Sequence, residues 1–483
     1  MTRPPFGFGP ADRPEDPDDP FGLAAMFGGA GGPFGAGAGG VFGQLQKLMS
    51  WSGGPVNWDL AHEVATGATR LEDVPVTAEQ EREVLEACRL ADLWLDPVTE
   101  LPASGGNPRA WTRTGWVEST RPAWRQLVDP VAGRVVGAMG GALQQGLEGL
   151  GGPGGAPEGL PPELAGLLGG GGLGPLQEIM GQVGGFVFGA QVGQALGSLA
   201  GEVLSSTEVG LPLSDGRPAL VPANIAAFSA GLEVPADEVR LYVALREVAH
   251  QRLFAAVPWL KAHLFDAVDA YARGIEVDGP AIERAVGSID PADPESMQRA
   301  MGEGLFDIEA TPAQQVALAR LETALALVEG WVDTVVDAAA RGPLPSAAAL
   351  RETVRRRRAS GGPAEQTFAT LVGLQLRPRR LREAAELWSG LAVAGGADAR
   401  DALWQHPDLL PSAQDLDDPA AFVRRGAGST TEEESGTDWD AGLRDLDKDL
   451  DGTLDEDSSG RHDPQDPSGG GEAGPDGEPP APV

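Results

Sequence analysis

The sequence predicts a mainly α-helical protein, and three observations carry that expectation. Apolar residues recur at the i, i+3/i+4, i+7/i+8 spacing of a packed helix over much of residues 41–425, as in Leu241, Leu245, Val248, Leu253 and Ala256. Start and stop signals bound these runs: Thr77 with Gln80 at the capping-box position, Thr311 followed by Pro312, and Gly342-Pro343 as a closure. Strand signals are few. Residues 211–232, where Ser214-Asp215-Gly216 separates short apolar segments, read as a small hairpin and supply the expected β element.

Taken in order, residues 1–40 are a Gly/Pro-rich stretch expected to be disordered, because they hold too little apolar surface to offset chain entropy. Residues 41–140 form a helical N-terminal region in which Trp94, Trp111, Trp116 and Trp124 are read as core anchors. Residues 141–175 are a Gly/Pro-rich connector. The core spans 176–425. Within it Gly181, Gly185, Gly189, Gly193, Gly197 and Gly201 recur every fourth residue, a spacing that lets a second helix approach one face closely. Helices follow at 237–257, 311–341 and twice within 344–405. The arginines at 355–358 and at Arg377, Arg379, Arg380 and Arg382 are read as a solvated face or as holders of acidic elements. Residues 426–483 are an acidic tail expected to be disordered.

Composition narrows the function. The 483 residues carry a formal charge of −35, and residues 401–483 alone hold 22 acids against 5 bases. Such a balance repels phosphate backbones and anionic membrane surfaces, so no nucleic-acid partner is expected. The single cysteine, Cys88, excludes an internal disulfide and suits a reducing compartment, which gives a cytoplasmic expectation. The first residues lack a basic region followed by an apolar segment, so no signal peptide is expected. The most apolar run, 179–204, is interrupted by Gln182, Gln191, Gln194 and Ser198, so no stable membrane span is expected. The sequence carries no signal for oligomeric state. A phosphate loop with lysine, a G-x-S-x-G elbow and a dinucleotide fingerprint are all absent.

Acid, base and a metal-ligating side chain fall together in Arg246-Glu247-Val248-Ala249-His250, which Val257-Pro258 closes as a helix. The zinc-protease signature H-E-x-x-H sets two imidazoles one turn apart on a single ion, beside a glutamate that deprotonates the bound water. Here the glutamate and second histidine are in register, and Arg246 stands in the first histidine's place. Glu329-Gly330-Trp331-Val332-Asp333 adds an E-x-x-x-D pair, as on the second helix of glutamate-type zincins similar to thermolysin. A guanidinium has no lone pair for zinc. Facing Glu329 or Asp333, Arg246 would form an ion pair in the metal's place; otherwise a ligand from outside the two helices, such as His263, His406 or a carboxylate, would have to complete the site.

NWDLA, ADLWLD, WTRTGWVESTRPAWRQLVDPVA, LREVAHQRLFAAVPWL, LVEGWVD, GGPAEQTFATLVGLQLRPRRLREA and WQHPDLLP together resemble a zincin-like hydrolase family of GC-rich, actinobacterial-type bacteria, known as zinc-dependent metalloproteases. The resemblance covers roughly 41–425 and implies a zincin-like core of an active-site helix and a second ligand helix. It implies Glu247 as general base, His250 and Glu329 as zinc ligands, and a peptide or protein as substrate. The competing expectation is a non-catalytic protein that keeps the fold as a binding or structural module. In the tail, Asp447, Asp449, Asp451 and Asp455 match part of a calcium loop, but Ser458 replaces the bidentate glutamate at position twelve, so calcium is not expected there.

Overall fold

A computed structural model of the chain describes residues 53–70, 73–150, 174–274, 311–359 and 380–429. The expectations for 1–40, for most of the 141–175 connector, for Arg377 and Arg379, and for the tail with Asp447, Asp449, Asp451 and Asp455 lie outside those residues. Eleven helices are described: α1 (Trp58–Thr69), α2 (Ala78–Leu95), α3 (Arg113–Leu150), α4 (Gly174–Ala200), α5 (Pro222–Ala230), α6 (Ala236–Ala256), α7 (Pro258–Arg273), α8 (Pro312–Ala340), α9 (Ala347–Ala359), α10 (Leu381–Ala402) and α11 (Pro419–Ser429). The fold is mainly helical, as the periodicity predicts. Helix α3 runs to Leu150 and so takes in the first part of the stretch read as connector.

The start signals act as read. Thr77 and Gln80 form a reciprocal capping box on α2, and Thr311 and Gln314 form another on α8, with Pro312 in the first turn. Each box satisfies two amide groups that a helix start leaves without partners.

Helix α6 is the central element. Tyr242 to Leu245 and Glu247 to Leu253 are all buried, so it is covered on nearly every side and not only along the apolar stripe. Helices α2, α5, α7, α8 and α9 and strand β2 (Ala219–Leu220) pack on it. Arg252, 1% exposed, ties α6 to α2: its Nη2 donates to Asp92 Oδ1 and to Asp96 Oδ1, each at 2.7 Å. A buried guanidinium is tolerable only with such partners.

The glycine repeat has a local reason. Helix α4 lies against α1, and a Cβ at Gly189 or Gly193 would stand 2.5 Å from the carbonyl oxygen of Asn57 or Ala61. The bare backbone is what lets the two axes come together, and no described helix is long and apolar enough to cross a membrane. The tryptophans serve as anchors: Trp116, Trp124, Trp331 and Trp388 are fully buried, while Trp94 and Trp111 pack partly buried against the core.

The β element differs from a simple hairpin. Strand β2 (Ala219–Leu220) pairs in parallel with β1 (Arg109–Ala110), and on its other edge Ser205 bridges Leu220 in antiparallel fashion. Ser206 N donates to Ala219 O at 3.0 Å and Val221 N to Leu204 O at 2.9 Å. The Ser214-Asp215-Gly216 turn therefore sits within a long loop, 206–218, closed by those bonds. The parallel partner is about a hundred residues away in sequence, which local turn signals cannot reveal.

Candidate functional site

Helix α6 presents Arg246 and His250 on one face, since residues four apart stand one turn above each other. Helix α8 meets that face with Glu329. Beside it, Gly330 lets α10 approach: a Cβ there would stand 2.6 Å from Ala384 Cβ. Arg246 Nη2 donates to Glu329 Oε2 at 2.7 Å, and His250 Nε2 lies 3.0 Å from Glu329 Oε1. From α9, Arg358 Nη1 reaches the same Oε1 at 2.7 Å. His250 Nδ1 faces the Arg246 carbonyl at 2.8 Å, which fixes the ring with Nε2 toward the carboxylate.

A loop closes this cluster. Arg358 Nη2 also donates to Glu208 O at 2.7 Å. Two residues on, Gly210 has a φ of 77°, and a Cβ there would lie 2.8 Å from Glu329 Oε1. Glu329 is left 1% exposed. Burial pushes its carboxyl up, but Arg358, His250 and Arg246 together overcome that and hold it well below the usual carboxylate range. Burial likewise works against the Arg246 guanidinium, and Glu329, Tyr242, Asp333 and Glu208 hold it charged. Tyr242, buried beside it, is pushed up to about 12.

Asp333, one turn further along α8, has other partners. Arg351 Nη2 donates to its Oδ2 at 2.5 Å and Arg355 Nη2 at 2.6 Å. Burial raises its carboxyl, and Arg351, Arg246 and Arg355 bring it below the usual range. Arg351, Arg355 and Arg358 occupy i, i+4 and i+7 of α9, so one face of that helix delivers three guanidinium groups to two carboxylates of α8. Residue spacing alone gives the shared face of this basic run but not the two carboxylates it meets.

Glu247 points elsewhere. Its Oε1 accepts from Ser206 Oγ at 2.5 Å, from Ala219 N at 3.0 Å and from Gln251 Nε2 at 3.0 Å. Its Oε2 accepts from Thr207 N at 3.1 Å and Thr207 Oγ1 at 2.6 Å. Every one of those donors but Gln251 belongs to the 206–219 segment, and Glu247 is 0% exposed. The structure thus brings Arg246, His250 and Glu329 together, sets Asp333 one turn away, and turns Glu247 to the loop. His263 rests against Arg320 and Trp259, and exposed His406 accepts from Asp408 N, so neither joins the cluster.

A model of zincin-like metallopeptidases matches residues 56–423. The chain belongs to the zincin-like metallopeptidase family. Among solved structures, it is similar to a protein from Chloroflexus aurantiacus described as "a putative hydrolase with a novel fold", at 18% identity and a TM-score of 0.52, covering 77% of this chain and 98% of that one. That likeness is one of fold. Among curated proteins none matches.

Zincin-like metallopeptidases are usually zinc-dependent, so the residues present must be tested against that ion. They do not fit it. Arg246 cannot donate a lone pair, and both Glu329 oxygens are engaged by cationic groups. A guanidinium a few ångströms from a divalent ion would repel it by several kcal/mol even at an effective dielectric of about 20. Among the described residues no three His, Cys, Asp or Glu side chains are grouped so as to hold a metal.

Proposed function

We propose that this zincin-like protein acts by binding a peptide or protein partner and does not act as a zinc hydrolase. The observation that carries the reading is the Glu329 carboxylate, 1% exposed and closed off by Arg246, His250 and Arg358. Water activation needs a free base beside the reacting atoms. Glu247, the side chain the motif offers for that task, already accepts five hydrogen bonds from its own chain. A reducing, cytoplasmic setting agrees with one buried free cysteine, Cys88.

The hydrolytic reading keeps one observation in its favour: His250 Nε2 and Glu329 Oε1, the pair the family resemblance offers as ligands, lie 3.0 Å apart. It requires Arg246 and Arg358 to leave the carboxylate.

Turnover of fluorogenic peptide and ester substrates separates the two. The binding reading predicts no rate above that of the His250→Ala variant, with or without added zinc. Zinc-dependent turnover that both chelation and His250→Ala abolish would overturn it.

A further inference from the structure

We propose that Arg246 and Arg358 are a built-in replacement for a divalent cation, and that the pocket around Glu329 is a cation site held shut by these two side chains. The inference rests on the metal-free reading above but not on the absence of hydrolysis. Its first ground is convergence: positions 246 and 250 of α6 both place side-chain nitrogens on Glu329, at 2.7 Å and 3.0 Å. Two imidazoles at those positions and the carboxylate would be three ligands to one ion, the number a zinc site with an open position uses. The second ground is orientation. His250 already turns Nδ1 to a backbone carbonyl at 2.8 Å, the outer contact that fixes a ligating imidazole and leaves Nε2 for a metal.

Charge gives the third ground. Two guanidinium groups bring to Glu329 the same charge a divalent ion would bring, and they bring it from α6 and from α9. The bridge that a metal makes between helices is thereby made by covalently attached cations, with Arg358 also pinning the loop through Glu208 O. Such a centre needs no ion to fold, and a chelator has nothing to remove.

The test uses the full chain with Arg246→His and Arg358→Ala combined. Titration with Co²⁺, followed by visible absorption, is expected to show one saturable site in the double variant and none in the unmodified chain, and Zn²⁺ is expected to raise the double variant's melting temperature. A folded double variant that takes up neither ion overturns the proposal, as does an unmodified chain that binds cobalt equally well. Should the double variant stay unfolded even with zinc, Arg358→Ala alone decides. Low guanidinium concentrations are expected to restore part of its melting temperature by refilling the gap beside Glu329, with tetramethylammonium as the control that does not. Equal effects of the two ions contradict the inference. Peptide turnover enters none of these readouts, so the proposal can fail while the binding reading stands, and the reverse.

Discussion

Replacing Glu247 with glutamine separates a loop anchor from a general base. If Glu247 served chemistry alone, Glu247→Gln would abolish activity and leave stability nearly unchanged. The geometry predicts a large stability loss. Oε1 accepts from Ser206, Ala219 and Gln251, and Oε2 from Thr207 twice. A glutamine keeps one acceptor oxygen and turns the other into a donor. The hydroxyls can rotate and Gln251 can flip, but the backbone N–H of either Ala219 or Thr207 must then face an NH₂ group. One buried N–H without a partner and one or two hydrogen bonds lost to a charged acceptor come to about 2–4 kcal/mol. For a chain of 483 residues that corresponds to a drop of roughly 2–4 °C in melting temperature. Calorimetry of the unmodified chain and the variant measures it. A melting temperature within about a degree of the parent's would refute the anchoring role and return Glu247 to the solvent-activating one.

Three further outcomes follow from the same structure. Gly210→Ala puts a side chain on a left-handed residue, φ 77°, and 2.8 Å from Glu329 Oε1, which His250 and Arg358 hold in place, so urea denaturation is expected to show a loss of about 2–4 kcal/mol. Gly193→Ala forces α1 and α4 apart, because its Cβ would meet Ala61 O at 2.5 Å and Val64 Cβ at 2.7 Å; overpacking of this kind costs about 1–3 kcal/mol, read as a lowered urea midpoint. Burial, and then Arg320, hold the His263 imidazole below its ordinary 6.5. The folded chain therefore binds that proton less readily than the unfolded one, and the associated stability is full above about pH 6.5 and declines as the pH falls below it. Thermal melts at neutral and mildly acidic pH should show a larger decrease for the parent than for His263→Gln, and equal decreases would contradict the assignment.

The local parts of the fold were legible and the distant ones were not. Thr77 with Gln80 and Thr311 with Pro312 announce α2 and α8, because capping chemistry is complete within four residues. The fourfold glycine spacing of α4 announces a close helix neighbour, although nothing in it names α1. The i, i+4 relation of Arg246 and His250 was readable, and so was Glu329 as a partner for either. Arg358 was not: it lies 29 positions beyond Glu329 and reaches it by the path of α9, which residue spacing does not encode. The contacts of Glu247 were equally hidden, since Ser206 and Thr207 on irregular backbone and Ala219 at the start of β2 lie 28–41 residues before it. The motif puts a glutamate beside a histidine; only the tertiary fold turns it toward the loop.

Zinc content of the unmodified chain, purified from zinc-supplemented medium without chelator and measured by mass spectrometry, tests the central claim most directly. With Arg246 and Arg358 on Glu329, only trace zinc is expected, together with a melting temperature that excess chelator leaves unchanged. A full equivalent of zinc per chain, lost in His250→Ala and on chelation along with stability, would show that the guanidinium groups do not fill the cation's place.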